Sequence, residues 1–97
     1  MVTYVTLYRW TEQGAKNVTD TVQRVEQAIP VVEQAGGRVL ATYWLQGQYD
    51  FMTIAEWPDE EKATAFFLNL AKLGNVRSET LRAFDKETMQ RILQNVR

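Results

Sequence analysis

The chain has 97 residues, a formal charge of −1, and neither cysteine nor histidine. Without cysteine it has no disulfide, thiolate nucleophile, thiolate zinc site or iron–sulfur cluster. Without histidine it lacks the commonest metal ligand, the usual base near neutral pH, a His-held haem and a Ser-His-Asp triad. No EF-hand pattern or clustered Asp/Asn loop offers a calcium site. The basic residues are dispersed, which leaves no electrostatic footprint for nucleic acid or an anionic membrane. No apolar run approaches the roughly 20 residues that a membrane span needs. The opening MVTYVTLYRW has no charged segment ahead of an apolar one, so it does not read as a signal peptide. With 45% hydrophobic and 24% charged residues, the expectation is one globular, cytoplasmic domain over 1–97 with no metal and no cofactor.

Residues 2–10 alternate in period two, with aromatic and β-branched side chains, and read as a strand. Thr11 is placed to cap a short helical turn through Gly14 to Asn17. A longer helix is predicted from about Thr19 to Ala35, because Val18, Val22, Val25, Ile29 and Val32 recur every three or four residues. Pro30 interrupts that pattern, and a kink or break is expected there. Gly36-Gly37 ends the helix. Residues 38–46 and 51–57 read as two strands joined by the turn Gly47-Gln48-Tyr49-Asp50, an antiparallel hairpin. Pro58-Asp59 opens a second helix with an acidic first turn and the stripe Ala63, Phe66, Phe67, Leu70, Leu73; Gly74 stops it. Residues 76–84 form a fourth strand. Asp85 is a good N-cap for a final helix carrying Met89, Ile92, Leu93 and Val96 on one side. The order is βαββαβ plus a terminal helix. That is an α+β, ferredoxin-like arrangement with an antiparallel sheet and an extra C-terminal helix.

Parity sorts the strand residues into two sets. Val5, Leu7, Met52, Ile54, Leu81 and Ala83 are aliphatic and are expected to meet the helices. The other set includes Tyr4, Thr6, Tyr8, Trp10, Tyr43, Phe51, Thr53, Trp57, Thr80, Arg82 and Phe84. Two helices cover one side of such a sheet, so the aromatic side is expected to be covered by a second copy, sheet against sheet. A β-bulge would invert part of this assignment. The aromatic side then serves either as dimer packing alone or as dimer packing around a small-molecule cavity.

Gly47-Gln48-Tyr49-Asp50, followed by Phe51 through Glu56-Trp57-Pro58-Asp59, resembles the GYD domain family. Gly74-Asn75-Val76-Arg77 and Ser78 through Phe84 do so as well, as do the opening Tyr4 to Gly14 and the Gly36-Gly37 pair. The resemblance covers nearly the whole chain; Pro30 departs from its pattern. It implies a ferredoxin-like fold related to dimeric α/β-barrel proteins and supplies no reaction. Gly47 to Phe84 is also similar to the effector-binding half of Lrp/AsnC-type transcription regulators. The chain begins directly with its first strand and lacks their helix-turn-helix, so that likeness implies an effector-binding or oligomerising module without a DNA reader.

The candidate ligand residues are Tyr8, Trp10, Tyr43, Tyr49, Asp50, Thr80 and Arg82. Tyr8, Trp10 and Tyr43, with Trp57, are suited to an aromatic pocket for a planar ligand, or to dimer packing. Tyr49 and Asp50 either orient a ligand at the groove mouth or hold the hairpin turn. Arg82, with Thr80 on the same strand face, either clamps a carboxylate or stacks on an aromatic ring. The expected function is a homo-oligomeric module that binds a small organic molecule. The alternatives are a cofactor-independent oxygenase or isomerase on the same scaffold, and a purely structural assembly subunit.

Overall fold

A computed structural model describes Met1 to Arg97, and its elements follow the hydrophobic periods. Strands β1 (Val2–Trp10), β2 (Arg38–Trp44), β3 (Phe51–Trp57) and β4 (Val76–Ala83) form one antiparallel sheet in the order β2-β3-β1-β4. Helices α1 (Glu12–Lys16), α2 (Thr21–Gln34) and α3 (Glu60–Leu73) connect them, with a 3-10 turn at Val18–Asp20, and α4 (Lys86–Leu93) follows the last strand. This is the ferredoxin-like α+β arrangement. No helix is long and apolar enough to cross a membrane.

Local chemistry sets the helix ends. The hydroxyl of Thr11 accepts from Gly14 N at 3.2 Å, Asp59 accepts from Lys62 N at 2.8 Å, and Asp85 accepts from Thr88 N at 2.7 Å. Gly74 closes α3 at φ 79°, a left-handed cap that glycine adopts without a Cβ clash. The expected break at Pro30 does not occur, and α2 runs through it as one element. Pro30 and Glu26, the residue whose carbonyl loses its amide donor, are both exposed, on the side of α2 where solvent can supply the missing partner.

The two sheet faces are real, but their roles are reversed. Thr6, Tyr8, Phe51, Ala55 and Trp57 are buried beneath α2 and α3. Val5, Leu7, Met52 and Ile54 lie half-buried on the side without helices, and Leu81 beside them is 43% exposed. The physical reason is legible in the charges. Arg9, Glu56, Arg77 and Glu79 share parity with the aliphatic set, whereas Arg82 is the one charged residue on the aromatic set. Charged side chains keep to water, so the aliphatic face is the open one. A bulge adds a second correction. The β2–β3 register jumps from Val39↔Ala55 to Ala41↔Ile54, leaving Leu40 as the extra residue. Tyr43, paired with Met52, therefore lies on the open face, while Trp44, paired with Phe51, lies on the helix side.

The core is small. Val32, Ala55, Trp57 and Ala63 form its buried centre, with Phe66 and Phe67 packed against it. The ring of Trp57 lies 5.2 Å from Phe66 and 6.3 Å from Phe67. A methyl on Gly37 would meet Glu56 O and Val32 Cγ1 at 2.9 Å and Trp57 Cε3 at 3.2 Å, so the missing side chain is what lets the indole close the core.

Candidate functional site

Between α2, α3 and the sheet lies a cavity of about 480 Å³, within the usual range for small-molecule sites. Its floor is the aromatic strand face. Tyr8 stacks on Phe51 with ring centroids 4.3 Å apart, and Trp10 and Trp44 flank Phe51 at 6.2 and 6.3 Å. Its walls are the helix stripes, represented by Val25, Ile29 and Val32 on α2 and by Phe66, Phe67 and Leu70 on α3. The two helices stand apart, so the apolar stripe that a tighter bundle would bury instead lines open space. Polar groups are few. Tyr8 Oη and Thr53 Oγ1 are 3.1 Å apart on the floor, and the charged lining residues are Arg24 and Lys62.

Burial pushes the Tyr8 phenol above its ordinary value of 10.0, and its hydrogen bonds to Thr53 and Thr6 oppose this only in part. It is therefore a neutral hydrogen-bonding group at physiological pH. Arg24 donates to the backbone carbonyls of Asn17 at 2.7 Å and Gly14 at 3.5 Å, which ties it to the α1 region. Trp57 also lines the cavity; it is fully buried, and its indole N–H has no hydrogen-bond partner.

The seven candidate residues do not form one site. Tyr8 and Trp10 share the cavity. Asp50 stands at the hairpin end of the sheet, where its carboxylate accepts from Trp10 N at 2.8 Å and its own N–H donates to Tyr8 O at 2.8 Å. It positions both aromatic residues through the backbone. Tyr43 is 61% exposed on the open face. Tyr49 donates to Glu79 at 2.5 Å, and the guanidinium of Arg9 sits 4.7 Å from its ring. That hydrogen bond, first, raises the Tyr49 phenol pKa, helped by the carboxylate's charge. Thr80 pairs with Thr6 at 3.3 Å. Arg82 lies over the rings of Phe84 at 4.6 Å and Tyr4 at 5.8 Å and donates to the carbonyls of Thr3 and Ala83. These contacts hold the guanidinium along the outer strand.

The cavity residues Thr53, Phe66, Phe67, Arg24 and Lys62 were not among the sequence candidates. Strand parity had marked Thr53 and helix periodicity Phe66 and Phe67, but a stripe does not show whether a partner element fills it; Arg24 and Lys62 carried no such signal. No group of three or more Asp and Glu side chains gathers into a possible metal site.

Two comparisons bear on this arrangement. The GYD domain model matches residues 4–93. Over 84 residues the chain is 32% identical to the glutamine synthetase and cystathionine beta-lyase binding protein of Thermus thermophilus, an alignment covering 86% of this chain and 88% of that protein. The family match takes in most of β1, the other three strands, the cavity and the helices that wall it, and the chain belongs to the GYD domain family.

Proposed function

We propose that this protein is a homo-oligomeric binding protein that holds a small organic molecule in the cavity beneath α2 and α3 and docks on a partner enzyme. The observation that carries the ligand is the 480 Å³ cavity itself, apolar in its walls and furnished with a few polar groups. A binding role suits it better than turnover, because its lining contains no carboxylate to act as a base and burial keeps Tyr8 protonated. The docking half rests on the Thermus thermophilus relative, whose name assigns it two enzyme partners. Self-association rests on the open sheet face, where Val5, Leu7, Met52, Ile54 and Leu81 make a continuous apolar surface.

Three measurements test this. A thermal-shift series of apolar compounds should raise the melting temperature, since binding to the native state stabilises it. Light scattering at micromolar concentration should give the mass of a dimer or a larger assembly. Purified glutamine synthetase and cystathionine beta-lyase from the organism encoding this chain should bind it directly in calorimetry. A stable monomer, an unmoved melting temperature and no enzyme binding would each remove the corresponding part of the proposal.

A further inference from the structure

The sheet has two edges, and one of them is unguarded. Strand β2 carries the bulge at Leu40, which breaks the regular spacing of its backbone groups. Strand β4, VRSETLRA, has no bulge, proline or lysine, and its register against β1 runs unbroken from Val76 to Ala83. Ser78 to Arg82 are all exposed. Along β1, Tyr8 O bonds towards β3, to Asp50 N, whereas Thr11 N bonds towards β4, to Asn75 O. The alternation of an antiparallel ladder therefore turns the backbone groups of Arg77, Glu79, Leu81 and Ala83 inwards and those of Val76, Ser78, Thr80 and Arg82 outwards. No turn, loop or cap bond takes the outward groups of Ser78 or Thr80. The charges beside them are also unmatched. Arg77 stands opposite Arg9, a like-charge pair. The three ion pairs of the molecule join Lys16 to Glu12, Arg38 to Glu56 and Arg91 to Glu87, and include neither Arg77 nor Glu79. Tyr49 donates to the Glu79 carboxylate but does not neutralise it. Arg77 and Glu79 lie two residues apart on the open face, so an antiparallel copy of the strand presents the opposite charge to each.

We propose that β4 pairs antiparallel with β4 of a second copy, about a two-fold axis at Ser78. This is a self-interface separate from the open face, and it needs neither a ligand nor a sheet-to-sheet dimer. Ser78 then bonds its own counterpart, Val76 bonds the partner's Thr80, and Arg77 lies opposite the partner's Glu79, twice by symmetry. The charges select this axis. An axis at Arg77 or at Glu79 sets like charges opposite each other, and one at Thr80 sets Glu79 against the partner's Leu81. The overlap from Val76 to Thr80 is short, so the pairing is weak, with a dissociation constant on the order of 0.1–1 mM.

The chain has no cysteine, so a single introduced thiol reports one contact. Full-length Ser78→Cys, at about 0.3 mM and oxidised by copper-phenanthroline in air, should become a covalent dimer, since opposed hydrogen-bonded residues stand ~5.5 Å apart at Cα, within disulfide reach. Thr80→Cys should link about tenfold more slowly or less, its own copy lying roughly 13 Å along the strand. Ser78 faces the helix side with Tyr8, so a sheet-to-sheet dimer does not produce this link, and the outcome stands apart from the fate of that dimer. Added to Ser78→Cys, Glu79→Arg should slow linking about tenfold, because it sets arginines opposite each other; adding Arg77→Glu as well should restore the rate to within about threefold. No link in Ser78→Cys overturns the edge pairing. Equal linking of Ser78→Cys and Thr80→Cys overturns the axis. A rate that Glu79→Arg leaves unchanged, or that the charge swap fails to restore, overturns the charge match that selects it.

Discussion

Tyr8 is the residue on which floor and cavity meet. Its ring stacks on Phe51, while its hydroxyl reaches Thr53 at 3.1 Å in a setting that excludes most water. Tyr8→Phe keeps the stacking and removes one partly buried hydrogen bond, so it should cost about 1 kcal/mol in urea unfolding. A loss several times larger would mean that the hydroxyl carries more than this pair. Gly14 is a second residue with a defined job. It is buried in α1, just past the first strand, and a Cβ there would stand 2.0 Å from the backbone oxygen of Asn75. The same corner is tied by Thr11 N to Asn75 O at 3.1 Å and by Thr11 Oγ1 to Gly74 O at 2.6 Å. Backbone cannot swing aside as a flexible side chain does. Gly14→Ala should therefore destabilise by about 1–3 kcal/mol, as overpacking does; an unchanged urea midpoint would show that α1 lifts off freely.

At the scale of elements, α4 depends on its cap. The Thr88 hydroxyl first, and then the hydrogen bond from Thr88 N at the cap, hold the Asp85 carboxyl below its ordinary pKa of 3.8. A folded pKa below the unfolded one means that the cap stabilises α4 above pH 3.8 and that the contribution is lost as pH falls through the lower folded value. Amide exchange of α4 should therefore accelerate on acidification. Asp85→Asn, which can still cap but does not titrate, should flatten that response, and the same acid loss in Asp85→Asn would exclude the cap as its cause. These caps were legible in the sequence because a cap involves neighbours three residues apart. The strand and helix order was legible for the same reason, from periods of two and of three to four. What lay outside that reach were relations between elements. The bulge at Leu40 is a mismatch between two strands, so it moved Tyr43 and Trp44 to opposite faces unseen. The side chosen for the helices was misread because aliphatic character was weighed above the charges at Arg9, Glu56, Arg77 and Glu79. The seven site candidates scattered accordingly, and only Tyr8 and Trp10 met in the cavity.

For the molecule as a whole, the reversal of the faces relocates the proposed dimer without weakening it. A sheet whose second face met only water would alternate polar residues there. Here Val5 and Ile54 stand opposite each other, with Leu7 opposite Met52 beside them, on the inner strands of that face. Arg9, Arg38, Glu56 and Glu79 border them, and Arg38 and Glu56 already pair at 3.1 Å. An apolar centre with a charged rim is the layout of a protein interface. The apolar side of α4 is uncovered as well, Met89 at 40% and Leu93 at 55% exposure, so the surface available to a second copy extends past the sheet. The decisive variant is Ile54→Lys. On an isolated copy a lysine at this half-buried strand position reaches water through its long stem, and its cost stays within the roughly 1 kcal/mol span of strand preferences. In a sheet-to-sheet dimer the same ammonium is brought into an apolar contact, where an unpaired charge is expensive. Light scattering should therefore show the wild type as a dimer and Ile54→Lys as a folded monomer. The cavity lies on the other side of the sheet, so a compound that raises the melting temperature of the wild type should do the same in that monomer. A variant that stays dimeric would move the interface away from the open face and leave α4 as the surface to examine.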